Sequence, residues 1–236
     1  LIDEAKSNHF PFGLRLRDLE DGGVMLYLEH FTLLTLDIDQ DADSLKLLVE
    51  LMAGSSGDIQ KAWDATKGKF AHLEFGFSCM GYEIPAGIGV RLATPDRNKR
   101  VLVFIGDGTF VMAPTELVTA AQEGINMTVV ISENHGYQVI RRLQMWRVGH
   151  HFGNEFRYRQ DGPSVAEAGS LKGTAPRLEG DYLDIDLIKM SEGMGAKAIY
   201  ATTPTEIRSA LAEARTINGP VVIVVPTIQH ANLPAS

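Results

Sequence analysis

Hydrophobic and polar positions alternate between two kinds of segment from about residue 45 onward. Short, nearly continuous apolar runs are typical of strands that a sheet buries on both faces. They occupy residues 45–52, 100–106, 126–132, 196–202 and 220–227. This pattern predicts at least five buried strands in the second part of the chain.

Stretches with helical spacing separate these runs. They cover residues 58–66, 84–93, 114–124 and 204–219. Thr203-Pro204 and Gly219-Pro220 are typical start and stop signals for the last helix. Alternating strands and helices predict βαβ units, so we expect an α/β fold: a parallel sheet with helices on both faces.

Two regions do not follow this alternation. Residues 1–44 have no clean period, and we leave them as an unassigned N-terminal segment. Residues 45–236 have the length of one domain with a single core. Residues 141–180 are rich in Arg, Gly and His, which predicts a long loop with short helical turns, and such loops are often functional.

Composition narrows the classes of function and location. The net charge of −8 argues against a nucleic-acid-binding surface. The longest apolar run, 24–36, is interrupted by Glu29 and His30 and is too short to cross a membrane. A single cysteine, Cys79, excludes an intrachain disulfide and suits a reducing compartment, so we expect a cytoplasmic protein. The chain begins at Leu1, which suggests a trimmed or partial polypeptide.

Polar residues follow two neighbouring runs where each predicted strand ends. Asp107 follows one strand, and Asn134 follows the next after one intervening helix. Ligands bind at the carboxyl ends of the strands in open α/β sheets. The Asp107 carboxylate, the Asn134 amide oxygen and the Gly136 carbonyl are hard donors that suit Mg²⁺ bound to a diphosphate.

Each of these motifs taken alone also fits a structural role. Asp107 is a typical helix-capping residue, and Asn134-His135-Gly136 is typical of an ordinary turn. Their separation of 27 residues across one βαβ unit favours the metal site.

"GDG" followed by a span that ends in asparagine resembles the cofactor signature of thiamine diphosphate enzymes. The family form ends in two asparagines, whereas this chain has Glu133-Asn134; the second position is the metal ligand in the family. The resemblance implies thiamine diphosphate and Mg²⁺ as cofactors, with Asp107, Asn134 and Gly136 on the metal. The implied cofactor-binding residues here are Gly106, Gly108, Thr109, Asn134, Gly136 and Tyr137.

Two further stretches carry the same resemblance. "FSCMGYEIPAGIGVRLA" (77–93) is similar to the family segment in which a bulky apolar residue supports the bent cofactor, here Met80. The Ser78 carbonyl would accept a hydrogen bond from the aminopyrimidine, and Glu83 stands where the family often has a small residue. "AGSSGDIQKAW" (53–63) corresponds to a loop whose amides bind the diphosphate, and its candidates are Ser55, Ser56 and Gly57.

The combination of "FSCMGYEIPAG", "GDGT", "ENHGYQ" and "FGNEFR" is similar to one subfamily, the hydrolases that open trihydroxycyclohexane-1,2-dione in myo-inositol catabolism. This resemblance implies a small cyclic diketone as substrate and hydrolysis of a C–C bond. The activating glutamate of such enzymes lies in a pyrimidine-binding domain, which we do not find in this chain. We therefore expect a partner domain or subunit, in a homo-oligomer, to supply it.

Three alternatives remain open. An acetolactate synthase-like enzyme or a 2-oxoacid decarboxylase would share the cofactor motifs. A non-catalytic cofactor-binding module would explain the missing glutamate domain. Residues 39–50 have the acidic spacing of a calcium-binding EF-hand loop, although Ser44 replaces its glycine.

Overall fold

The computed structural model of the chain describes residues 15–18, 24–27, 32–36, 70–72, 79–94, 96, 98–160 and 178–227. Its strands are β1 (Arg15–Asp18), β2 (Val24–Tyr27), β3 (Thr32–Leu36), β4 (Phe70–His72), β5 (Arg100–Gly106), β6 (Thr128–Glu133), β7 (Lys197–Tyr200) and β8 (Val221–Pro226). Its helices are α1 (Glu83–Ala93), α2 (Asp107–Met112), α3 (Glu116–Gln122), α4 (Gln138–Val148), α5 (Leu187–Gly193) and α6 (Pro204–Ala214).

Six of these strands form one sheet, in the order β4-β3-β5-β6-β8-β7. The four strands β5, β6, β8 and β7 are parallel, which confirms the predicted α/β fold. On the other side of β5, β3 and β4 extend the sheet with antiparallel pairing. Gly106 at the end of β5 pairs with Ser132 in β6, so these two strands end side by side.

Helices cover both faces of the sheet. Val103 and Ile105 of β5 belong to a core with Phe110 of α2, which is completely buried, and with residues of α1, α3 and α5. Phe104 faces the opposite side and packs in a second core with Leu211 of α6. Because successive side chains of a strand point to opposite faces, both faces need apolar residues, and the strand becomes one continuous apolar run.

The start of α6 confirms the predicted signal. The Thr203 hydroxyl accepts a hydrogen bond from the Glu206 amide, and the Glu206 carboxylate accepts one from the Thr203 amide. Pro204 occupies the first turn, where its missing N–H costs nothing. The helix ends at Ala214, before the predicted end at Gly219, which has a φ of 111° and lies just before β8.

The predicted loop over residues 141–180 is wrong in its first part, because α4 occupies 138–148. This helix exposes Trp146 and Val148 to solvent, so it has no buried apolar stripe from which periodicity would reveal it. Gly149 ends it in the left-handed conformation, with a φ of 75°.

Several other elements, among them α2, α5 and the strands β1 to β4, were not predicted. Helix α5 is capped by Asp186, the residue before it, whose carboxylate accepts the Lys189 amide at 2.9 Å. Strand β3 lies within the unassigned N-terminal segment and pairs with β5. The predicted strand at 45–52, the predicted helix at 58–66 and the acidic spacing at 39–50 lie outside the described residues.

Candidate cofactor-binding site

The ends of β5 and β6 bring two loops together at one edge of the sheet. Asp107 opens α2 directly after β5, and the loop 134–137 follows β6. This loop turns sharply, because His135 and Gly136 both have positive φ values, 60° and 135°. A side chain at Gly136 is excluded, since its Cβ would lie 2.3 Å from the Asn154 carbonyl oxygen.

Asp107 is 2% exposed, and its carboxylate is surrounded by backbone amides. Its Oδ1 accepts the Gly108 amide at 2.7 Å, and its Oδ2 accepts the amides of Asn134 at 3.1 Å and Gly136 at 3.2 Å. Burial raises the pKa of this carboxyl to about 6, although the amide hydrogen bonds oppose the increase. At neutral pH the site therefore carries a buried negative charge.

The side-chain amide of Asn134 completes the cluster. In the orientation that satisfies both neighbours, its nitrogen donates to Asp107 Oδ1 at 3.1 Å and to the Gly136 carbonyl oxygen at 3.0 Å. Without a cation, these two hydrogen bonds hold the oxygens together. With the amide turned over, its oxygen would take the same position, and the spacing then fits an octahedral Mg²⁺ shell, in which adjacent ligands at about 2.1 Å from the ion are about 3.0 Å apart.

The two glycines beside Asp107 have different surroundings. A Cβ at Gly108 would lie 2.8 Å and 2.9 Å from ring carbons of Tyr137, so only glycine lets this ring pack here. A Cβ at Gly106 would meet nothing within 4 Å, which leaves open space beside the strand end. Thr109 is buried in α2. The structure thus brings the predicted residues of both loops into one place.

Met80 lies half-buried in the turn before α1. The next residue, Gly81, has a φ of 92°, and a Cβ there would lie 2.9 Å from Cβ of Ala113, just after α2. The buried Glu83 carboxylate accepts a hydrogen bond from the Gly81 amide at 3.0 Å. Glu83, which departs from the family pattern, therefore stabilises this turn. Ser55, Ser56, Gly57 and Ser78 lie outside the described residues.

The other departure, Glu133, does not contact Asp107 by any hydrogen bond that the described structure contains. Its Oε2 accepts the hydroxyl of Tyr200 in β7 at 3.1 Å, on the far side of β8. The Glu133 carboxylate is therefore bonded to Tyr200 and not to the Asp107 carboxylate.

A segment 20 residues further along the chain supports the loop 134–137. The Asn154 carbonyl accepts the Tyr137 amide at 2.7 Å, and the His135 carbonyl accepts the Phe156 amide at 3.0 Å. Between these hydrogen bonds, Gly136 and Glu155 form an antiparallel bridge. The "FGNEFR" motif thus has a structural task that sequence reasoning did not identify.

The Glu155 carboxylate is a charged group within the segment that supports the loop 134–137. Its buried side chain accepts hydrogen bonds from Gln138 at 3.2 Å, Tyr182 at 3.2 Å and Arg157 at 3.0 Å, with Arg141 3.6 Å away. Burial alone would raise the pKa of Glu155, but these hydrogen bonds and the two arginine charges outweigh it and lower the pKa. The carboxylate therefore stays ionised.

Two other kinds of feature do not occur in the described ranges. No three His, Cys, Asp or Glu side chains converge there as a metal site, so an ion would depend on the mixed oxygen donors described above. None of the helices in those ranges has both the length and the apolar character to cross a membrane.

Comparison with known proteins identifies the class. The model of the thiamine pyrophosphate enzyme C-terminal TPP-binding domain matches residues 53–225. The chain therefore belongs to this family.

Curated relatives carry one recurring name. The chain is 33% identical over 178 residues to 3D-(3,5/4)-trihydroxycyclohexane-1,2-dione hydrolase 1 of Bacillus cereus, which covers 75% of the chain and 25% of that protein. It is 36% identical, over the same shares, to the hydrolase of that name from Geobacillus thermodenitrificans. The chain thus spans about a quarter of the length of these relatives.

Among solved structures, the chain is similar to a thiamine diphosphate-dependent 4-hydroxybenzoylformate decarboxylase of Rhodococcus jostii RHA1. The identity is 26% and the TM-score 0.45, with 64% of this chain and 24% of that chain covered.

Proposed function

We propose that the chain is the diphosphate-binding part of a thiamine diphosphate- and Mg²⁺-dependent C–C bond hydrolase. Its substrate is a cyclic 1,2-dione, trihydroxycyclohexane-1,2-dione, in myo-inositol catabolism. The observation that carries the proposal is the convergence of the Asp107 carboxylate, the Asn134 side-chain amide and the Gly136 carbonyl beside the open space at Gly106. The names and similarity of the curated relatives support the choice of substrate.

Different residues of the site would bind different parts of the cofactor. The ionised Asp107, the Asn134 amide oxygen and the Gly136 carbonyl would bind the cation that neutralises the diphosphate. Gly106 leaves room for phosphate oxygens at the strand end, while Gly108 and Tyr137 form the packed wall beside it. When bound, thiamine diphosphate supplies a nucleophilic carbon and an electron sink for the breaking C–C bond.

The remaining predicted contacts complete this assignment. Met80 would support the bent cofactor, and the Ser78 carbonyl would accept a hydrogen bond from its aminopyrimidine. Thr109 and the loop residues Ser55, Ser56 and Gly57 would lie along the diphosphate.

The proposal requires groups beyond this chain's own site. A pyrimidine-binding domain, from the same longer polypeptide or from a partner subunit, would supply the activating glutamate. We place that assembly, a homo-oligomer, in the cytoplasm, where the Cys79 thiol would stay reduced.

Product analysis tests the substrate. The chain, combined with the pyrimidine-binding domain, thiamine diphosphate and Mg²⁺, should consume the cyclic dione and release an open-chain deoxy-sugar acid, while pyruvate should persist. Turnover of pyruvate instead would identify an acetolactate synthase-like enzyme or a decarboxylase. Cofactor binding without turnover of either compound would identify a non-catalytic module.

A further inference from the structure

The loop that carries two of the three oxygen donors does not hold its shape alone. His135 has a positive φ without being glycine, a conformation that costs about 1 kcal/mol or more and persists only where neighbours impose it. The imposing neighbour is the segment 154–156. It lies so close that a Cβ on Gly136 would be 2.9 Å from Cα of Glu155.

Glu155 reaches both donor residues of the loop. Its backbone forms the antiparallel bridge to Gly136, whose carbonyl is one donor. Its carboxylate accepts from Nε2 of Gln138, and the same nitrogen donates to the backbone carbonyl of Asn134 at 3.0 Å. Glu155 is therefore connected to Gly136 directly and to Asn134 through one side chain.

The surroundings of Glu155 fix the position of its carboxylate. Arg157 donates to Oε2, and its guanidinium also lies 3.6 Å from the centroid of the Tyr182 ring. Tyr182 donates its hydroxyl to Oε1 and stacks on His135, with ring centroids 4.6 Å apart. The carboxylate, the ring and the loop thus form one connected unit behind the oxygen cluster.

We infer that Glu155 is a positioning residue for the metal site, one that sets the direction of the Asn134 and Gly136 oxygens without touching the ion. The inference rests on the proposed function, since it concerns the same cation. Partners behind metal ligands commonly change metal affinity by about 10-fold to 100-fold when they are replaced. Removal of the Glu155 carboxylate should therefore weaken ion binding while the fold persists.

Mn²⁺ in place of Mg²⁺ provides the readout, because the free ion can be counted by electron paramagnetic resonance. We expect Glu155→Gln to raise the Mn²⁺ dissociation constant about tenfold with saturating thiamine diphosphate, and Glu155→Ala to raise it further. Glu206→Gln is the matched control: that carboxylate also accepts several hydrogen bonds, but it caps α6, which packs on the other core. The control should bind Mn²⁺ within about twofold of the parent chain.

The outcomes separate the inference from the proposed function. If the parent chain binds no Mn²⁺ with thiamine diphosphate, the proposed function fails and the inference fails with it. If the parent binds and Asp107→Ala does not, yet Glu155→Gln binds like the parent, only the inference is overturned. Equal weakening in Glu155→Gln and Glu206→Gln would also overturn it, because general destabilisation would then explain both. Should Glu155→Ala not fold, Glu155→Gln alone decides.

Discussion

The side-chain amide of Asn134 lies 3.1 Å from Oδ1 of Asp107, although the two residues are 27 positions apart. Parallel pairing of β5 and β6 creates this proximity, because both strands end at the same edge of the sheet. The Gly136 carbonyl, 3.0 Å from the same amide group, adds a third oxygen donor for a cation. This spacing is the geometric basis for assigning a cation to the site.

Gly106 and Gly108 should respond differently to alanine. At Gly108 the new Cβ would overlap the Tyr137 ring, so we expect Gly108→Ala to lower the free energy of unfolding by about 1–3 kcal/mol. At Gly106 the Cβ meets no protein atom, and the φ of −78° suits alanine, so stability should stay within about 1 kcal/mol of the parent. Chemical denaturation of both variants measures these changes.

The effect of Gly106→Ala on cofactor affinity should differ from its effect on stability. Gly106→Ala should weaken thiamine diphosphate binding despite its intact stability, because its methyl group would fill the space proposed for phosphate oxygens. Calorimetric titration of the folded variant measures the affinity. Full cofactor affinity in Gly106→Ala would show that the diphosphate lies elsewhere.

Restoring the usual family residue at position 133 should have little effect on the ion site. The Glu133 carboxylate is bonded to Tyr200 and not to Asp107, so Glu133→Asn removes only a surface hydrogen bond. We expect Mg²⁺ and cofactor affinities within about twofold of the parent, since changes at groups without shared partners are close to independent. A tenfold change in either affinity would mean that Glu133 takes part in the site.

Stability of the ion-free chain should depend on the protonation of Asp107. Its pKa is about 6 in the folded chain against an ordinary 3.8, so the folded state holds the proton more tightly than the unfolded state. The stabilisation is complete below pH 3.8 and is lost as the pH rises through 6. Between pH 5 and pH 7.5, the parent should lose about 1 kcal/mol of unfolding free energy relative to Asp107→Ala.

Denaturant titrations of both proteins in a chelator at several pH values test this prediction. The variant serves as the control for every other titrating group, so only the difference between the two curves matters. The difference is the unfolding free energy of the parent minus that of Asp107→Ala. If it stays constant with pH, or increases as the pH rises, the result contradicts the assigned pKa.

Much of the fold was predictable from local patterns. Runs such as residues 100–106 and 220–227 are apolar over nearly their whole length because helices cover both faces of the sheet. The order of strands and helices then places Asp107 and Asn134 at neighbouring strand ends, and no long-range information is needed for that step.

The features that were not predicted depend on contacts that produce no regular spacing of hydrophobic residues in the sequence. Helix α4 exposes most of its apolar side chains, so hydrophobic spacing did not reveal it, although Arg147 before Gly149 was a usable stop signal. Glu155 supports the loop from 20 residues away through a bridge and a network of side chains. Neither the bridge nor the network follows a repeating spacing in the sequence, and "FGNEFR" was identified only as a motif.

Calorimetric titration of thiamine diphosphate into the chain, with and without Mg²⁺, tests the central claim most directly when it is repeated on Asp107→Ala. The parent should bind in Mg²⁺ and lose that binding in a chelator, because the cation links the oxygen cluster to the diphosphate. The variant should bind at least about tenfold more weakly, a loss of about 1.4 kcal/mol or more. Equal affinity in parent and variant, or binding that ignores the chelator, would contradict the account.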